Sequence, residues 1–199
     1  ELNIDQFAEE NKVNYSLFKK QYENSIEAHA YKTFLMPFSH RGGIQLQHES
    51  TSIVPLRTKQ HYLDWIERIS KIDTLVDAAI SKAEKGIEKN IVPPRFLMEK
   101  VYKQIELQAF VEPKDSPFYR AFLEMDRSVN DGDVEEIRTQ ALQIIKLKVI
   151  PAYIKLHRFF KDKYLPACRN SIGIKEIENG KEYYEFLARK FTTTDLTPQ

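Results

Sequence analysis

The chain has 199 residues, enough for one sizeable core, and its 30 Lys and Arg against 29 Asp and Glu leave a formal charge of +1. The charges are interspersed, which provides no electrostatic footprint for nucleic acid or an anionic membrane. Six Gly and nine Pro are too few for a many-turned all-β protein, the single Cys168 cannot close an internal disulfide, and no apolar run approaches the roughly 20 residues that cross a bilayer.

Helices are expected instead. Phe18, Tyr22, Ile26, Ala30 and Phe34 recur every fourth position between Tyr15 and Leu35, predicting a core-facing helix with a slowly drifting stripe. Pro37, the Gly42-Gly43 pair and Pro55 then interrupt residues 36–57, where the alternation of Ile44 and Leu46 suits a short extended segment or small hairpin. Thr58 is placed to cap a helix whose buried face is Tyr62, Trp65, Ile66 and Ile69. Asp73 reads as the cap of another, with Leu75, Val76, Ala79, Ile80 and Ala83 inward and Gly86 at its end. After Pro94 a third pattern runs through Leu97, Val101, Ile105 and Ala109 and stops before Pro113.

In "DSPFYRAFLEM", Ser116 suits a cap, Pro117 a first turn, and Phe118, Phe122 and Met125 an apolar row. Asp133 leads a long segment to about Tyr164, with Pro151 inside it. Proline removes a backbone donor and clashes with the carbonyl four residues back, so a kink, or two helices meeting near Ile150, is expected there. "YLPACRNSIGIKEIENG" is an irregular connection, followed by a last row of Tyr183, Leu187 and Phe191. Thr197-Pro198 reads as one more helix start. These elements predict an all-α multi-helix bundle, a single helical domain over residues 1–199 with long kinked helices and one irregular or hairpin insertion near 36–57.

The side chains give little local evidence of catalysis. None of His29, His40, His48, His61 and His157 has a second His four residues away, as a helical zinc-hydrolase site requires, and none follows a Glu by three. "HES" at His48 is half of His-Glu-x-x-His, because position 52 is Ser. His61 and Asp64 share a helix face and suit a local hydrogen bond. Cys168 beside Arg169 poses a choice between an activated thiol and a small buried residue after Pro166, and the lack of a neighbouring His favours burial. "HRGG" lacks the frame of a phosphate loop and reads as a turn. With 10 Tyr and 12 Phe, the adjacent Tyr183-Tyr184 pair stands out: at helical spacing one ring faces the core and the other a groove or solvent.

Residues 149–199 resemble the bacterial domain-of-unknown-function family 885, whose members are often described as lipoproteins or secreted proteins. The resemblance rests on Pro151-Ala152-Tyr153, Tyr164-Leu165-Pro166, Arg169, Gly173, Gly180, Tyr183-Tyr184 and Thr192-Thr193-Thr194 before Leu196-Thr197-Pro198. Gly42-Gly43, the helix from Thr58 and Pro94-Arg95 extend it upstream to about residue 30.

It implies that the polypeptide continues past Gln199 into helices with a His-Glu-x-x-x-Gly-His-like segment, similar to helical zinc metallopeptidases. Residues 1–199 would then be an N-terminal part, shaping a substrate cleft or lid without catalysing by themselves. They would contain no cofactor of their own, zinc belonging to the full-length protein. Arg169, pairing with a substrate carboxylate, and Tyr183 or Tyr184, hydrogen-bonding a peptide or oxyanion, are the cleft residues this implies. The partners expected are the remainder of the same chain and a peptide substrate, with neither nucleic acid nor a transmembrane segment. A bacterial envelope or periplasmic location follows only from the resemblance, since residues 1–199 show neither signal stretch nor lipid-attachment signal. The alternative is a non-enzymatic helical binding or scaffold module of an envelope lipoprotein.

Overall fold

The computed structural model describes residues 4, 7–194 and 197. Its helices are α1 (Glu9–Ala30), α2 (Lys59–Ser70), α3 (Ile72–Glu88), α4 (Arg95–Ala109), α5 (Asp131–Ile144), α6 (Ile150–Phe159), α7 (Leu165–Ala167) and α8 (Gly180–Thr192). Among the described residues there is no β-strand, only the isolated bridges Ser39–Gly42 and Pro94–Arg169, and the expected all-α class holds. The helix start read at Thr197-Pro198 depends on Pro198, which lies outside the described residues. Where the sequence was read as one helical domain, the chain groups into two compact units: residues 35–170, and residues 1–34 with 171–199.

In the larger unit, Thr58 Oγ1 accepts the His61 N–H at 3.3 Å and starts α2, which buries Tyr62, Trp65, Ile66 and Ile69 as its spacing predicts. α3 follows after Lys71 alone. Asp73 is in its first turn, not at its cap, and Leu75 is exposed. Gly86 lies inside α3 because a Cβ there would meet Leu35 O at 2.7 Å and Ile91 O at 2.9 Å. The stop comes at left-handed Asn90 (φ 52°), with Ile91 N–H bonded to Gly86 O and Asn90 N–H to Ile87 O, so that the last carbonyls are satisfied.

Asn130, not Asp133, caps α5: its Oδ1 accepts the Asp133 N–H at 2.9 Å. From α5 to α7 the helix is continuous but twice widened, by π turns at Ile145–Val149 and Phe160–Tyr164. Each closes with an i to i+5 bond, Ile150 N–H to Ile145 O and Leu165 N–H to Phe160 O, one residue before Pro151 and Pro166 respectively. A wider turn moves the carbonyl that the proline ring would strike and needs no donor from the proline. The distortion expected near Ile150 is therefore real, and Pro166 repeats it.

α3 runs parallel to this long helix, as the successive pairs Asp73–Lys148, Asp77–Lys155 and Glu84–Lys163 at 3.0, 2.5 and 2.9 Å require. Such exposed pairs contribute at most about 1 kcal/mol each and mainly keep register. α4 packs antiparallel, with Arg95 beside Arg169 and Tyr102 beside His157. Between these helices the core gathers Val76, Met98, Val101, Ile105, Ile145, Tyr153 and Phe160.

Two expected elements take other forms. Ser116 Oγ does cap Phe118 N–H and Phe118 and Phe122 are buried, yet Pro117–Phe122 is a 3-10 helix. Arg138 takes the carbonyls of Phe122 and Leu123 at 2.9 and 2.8 Å, the acceptors that a continuing helix would use. Within 36–57, Ser39 and Gly42 exchange backbone bonds in one tight turn, and Ile44–Ser52 is 3-10, not extended. The irregular alternative is the one observed. Gln45, fully buried, ties it down by donating from Nε2 to Ser39 O at 2.7 Å.

In the smaller unit α1 and α8 pair antiparallel: Glu27 bridges Arg189 at 2.6 Å, and Tyr31 lies 5.0 Å from Tyr183 and 5.6 Å from Phe186. α1 buries no residue, contrary to the core-facing role expected, and Phe18, Tyr22 and Ile26 are 59%, 55% and 73% exposed. At 3.6 residues per turn a four-residue step overshoots by about 40°, so Phe18, Tyr22, Ile26 and Ala30 wind about 120° around α1, which ends before Phe34. α8 buries Phe186, while Phe191 is exposed.

Candidate functional site

Arg169 sits where the end of α7 meets the start of α4. Arg95 N–H donates to Arg169 O at 2.8 Å and Arg169 N–H to Pro93 O at 3.3 Å, forming the parallel bridge. Arg169 Nε–H donates to Val92 O at 3.1 Å, and Arg95 Nη2 to Pro166 O at 3.3 Å. Both guanidinium groups thus fasten backbone to backbone. Cys168 between them is buried, and burial pushes its thiol up to about 12 against the opposing pull of the two arginines. The thiol is a packing group, because desolvation outweighs the nearby positive charge.

Tyr183 and Tyr184 separate as an adjacent helical pair should. Tyr183 is half-buried, within 5.0 Å of Tyr31 and stacked on Phe186 at 6.1 Å. Tyr184 is 53% exposed, its ring available to a ligand. These tyrosines belong to the smaller unit and Arg169 to the larger.

Two histidine environments carry no local sequence signal. On α6, His157 stacks on Tyr102 at 4.7 Å and meets the edge of Phe110 at 4.7 Å, while its Nε2 is 3.5 Å from Glu106 Oε1. Tyr102 and Glu106 share a face of α4 and Phe110 caps its C-terminal end, so this part of the chain presents an aromatic clasp with a carboxylate in its middle. Nε2 is sealed from solvent, which makes this an interhelical seam. His48 Nδ1 lies 3.0 Å from the Gln108 amide nitrogen, an arrangement that suits a neutral ring, and burial lowers its pKa from the ordinary value. Gln45 Nε2 reaches Gln104 Oε1 at 3.2 Å, and Gln104 Nε2 reaches His40 O at 3.1 Å, extending this polar layer under the 36–57 segment.

Among the described residues no three His, Cys, Asp or Glu side chains converge on a point that could hold a metal ion. These residues therefore do not build a zinc site, and no chemical step is assigned to them through zinc. No helix among them is long and apolar enough to cross a membrane.

The fold is shared with a crystal structure described as "putative lipoprotein from Colwellia psychrerythraea", at TM-score 0.67 and 22% identity, over 73% of this chain and 25% of that one. The matched region thus spans a quarter of that chain's length. No curated protein matches the sequence. The profile of the family described as "Bacterial protein of unknown function (DUF885)" matches residues 1–199, and the chain belongs to that family.

Proposed function

We propose that residues 1–199 form a helical wall or lid beside the substrate cleft of a larger, exported, zinc-metallopeptidase-like protein, and bind and orient a peptide without catalysing its cleavage. The observation that carries this reading is the coverage: the same fold occupies only a quarter of a relative's chain. In such an arrangement the wall excludes water and positions substrate while helices elsewhere supply the chemistry. Tyr184, exposed on α8, suits a hydrogen bond to a peptide. Arg169, its guanidinium held at Val92 O, is the residue we assign to a substrate carboxylate. The lipoprotein description of the relative supports an envelope location.

A second reading, a non-enzymatic helical binding module, is favoured by one observation, the apolar side chains that α1 leaves exposed. Reading the gene past the codon for Gln199 separates the two. A following helix with a His-Glu segment and a third ligand further on supports the cleft wall. A stop codon, or a continuation without ligands, overturns it in favour of the binding module.

A further inference from the structure

The N-terminal segment of the larger unit and the exposed side of α2 enclose a concavity of about 170 Å³, lined by Val54, Pro55, His61, Asp64, Trp65 and Arg68. At Asp64 and Arg68 it opens into a groove of about 490 Å³ that continues to Thr74 and Leu75 at the start of α3. We propose that this site binds the carboxyl-terminal end of a peptide, with the terminal carboxylate on Arg68 and the last side chain against Val54 and Pro55. The proposal does not rest on the cleft-wall reading.

Arg68 is the key group. Its guanidinium lies 5.7 Å over the centre of the Trp65 indole, and Trp65 is almost wholly buried, so the cation rests on a fixed platform. The neighbouring polar groups are already engaged with one another: Lys71 pairs with Glu67 at 2.7 Å and Gln60 donates to Asp64 Oδ1 at 2.8 Å. The Arg68 side chain has no ion pair or hydrogen bond among the described residues, which leaves its planar fork to a ligand. A carboxylate matches that fork with two parallel bonds.

The surrounding chemistry narrows the ligand. His61 Nδ1 accepts the Arg57 N–H at 3.3 Å, so the neutral ring carries its proton on Nε2 and offers a second donor. Asp64 keeps one carboxylate oxygen for the amide N–H of the terminal residue. Asp64 and Glu67 balance Arg68 and Lys71, so there is no net positive field to concentrate phosphate or a polyanion. A single carboxylate with an N–H donor and an apolar side chain beside it meets all of these groups at once.

Trp65 is the chain's only tryptophan, so its emission reports on the site. The 199-residue chain is titrated with acetyl-Ala-Ala-Leu, with the same peptide ending in an amide, and with inorganic phosphate, followed by Trp65 emission and by the backbone amide shifts of α2. The expected result is saturable binding of the acid, at least tenfold weaker binding of the amide, and no saturation by phosphate. Arg68→Gln, at an exposed position, should retain the fold and bind the acid at least tenfold more weakly, with Arg68→Lys between the two. Absence of saturation by the acid up to about 10 mM in both readouts overturns the proposal. So does equal binding of the amide or of phosphate, or undiminished binding by a folded Arg68→Gln chain.

Discussion

Tyr153 donates its buried hydroxyl to the carbonyl of Ile44 at 2.6 Å, across 109 positions of sequence. That bond fastens the 3-10 segment Ile44–Ser52 to α6, and no solvent replaces it. Tyr153→Phe leaves the carbonyl without this donor and should destabilise the chain by about 1–2 kcal/mol, read as a lower denaturation midpoint with an unchanged slope. Burial also raises the phenol pKa of Tyr153 and of Tyr164 far above the ordinary value. In an alkaline absorbance titration these two should therefore stay protonated until the chain unfolds.

Two glycines in helices should respond in opposite directions. At Gly86 a Cβ would approach two backbone oxygens to 2.7 and 2.9 Å, neither of which can swing away, so Gly86→Ala should destabilise by more than the roughly 1 kcal/mol it gains in helix propensity. At Gly132 the nearest atom is Asn130 Oδ1 at 3.5 Å, and Gly132→Ala should be neutral or stabilising by up to about 1 kcal/mol. Thermal unfolding of the two variants checks both signs.

His48 makes stability depend on pH in a defined direction. Its folded pKa lies below the ordinary 6.5, so the unfolded chain takes up a proton first as pH falls. This contribution is fully present above about pH 6.5 and is lost as pH falls towards the lower folded pKa. Protonation would also set an imidazole N–H against the Gln108 amide N–H. Melting between pH 7.5 and 5 should show a fall that His48→Asn reduces; equal falls in the two proteins would contradict the assignment.

The two adjacent tyrosines should separate stability from substrate binding. Tyr183→Ala removes a ring packed on Tyr31 and Phe186 and should destabilise the smaller unit by about 2 kcal/mol. Tyr184→Ala removes an exposed ring and should leave unfolding nearly unchanged. If Tyr184 holds substrate in the complete polypeptide, that variant should raise KM several-fold with little change in kcat.

The helices of the larger unit were legible where their signals are local. Thr58 and the Tyr62, Trp65, Ile66, Ile69 face specify α2 within a dozen residues, and Pro151 announces the distortion that Ile145–Val149 absorbs. α1 was misread because exposure depends on what covers a helix, and its four-residue repeat winds off any one face. Pro117–Phe122 carries a sound start signal, but its end is decided by Arg138, sixteen positions on from Phe122. The seam of His157 with Tyr102, Glu106 and Phe110 joins two helices distant in sequence, so no spacing rule could have found it. Arg68 over Trp65, three residues apart, was within reach of such a rule. Tyr183 and Tyr184 stood out as an adjacent pair and Arg169 through the resemblance that also implied their cleft role, and the contacts of all three became visible only with the structure.

The central claim, that these helices serve a metal-dependent peptidase without catalysing, is tested most directly by peptide cleavage. The complete gene product, zinc-reconstituted and chelator-treated, is incubated beside residues 1–199 with a diverse peptide mixture, and products are read by mass spectrometry. The account predicts cleavage by the reconstituted protein, its loss on chelation, and none by residues 1–199. A complete protein inactive in both metal states, or cleavage by residues 1–199 alone, would contradict it.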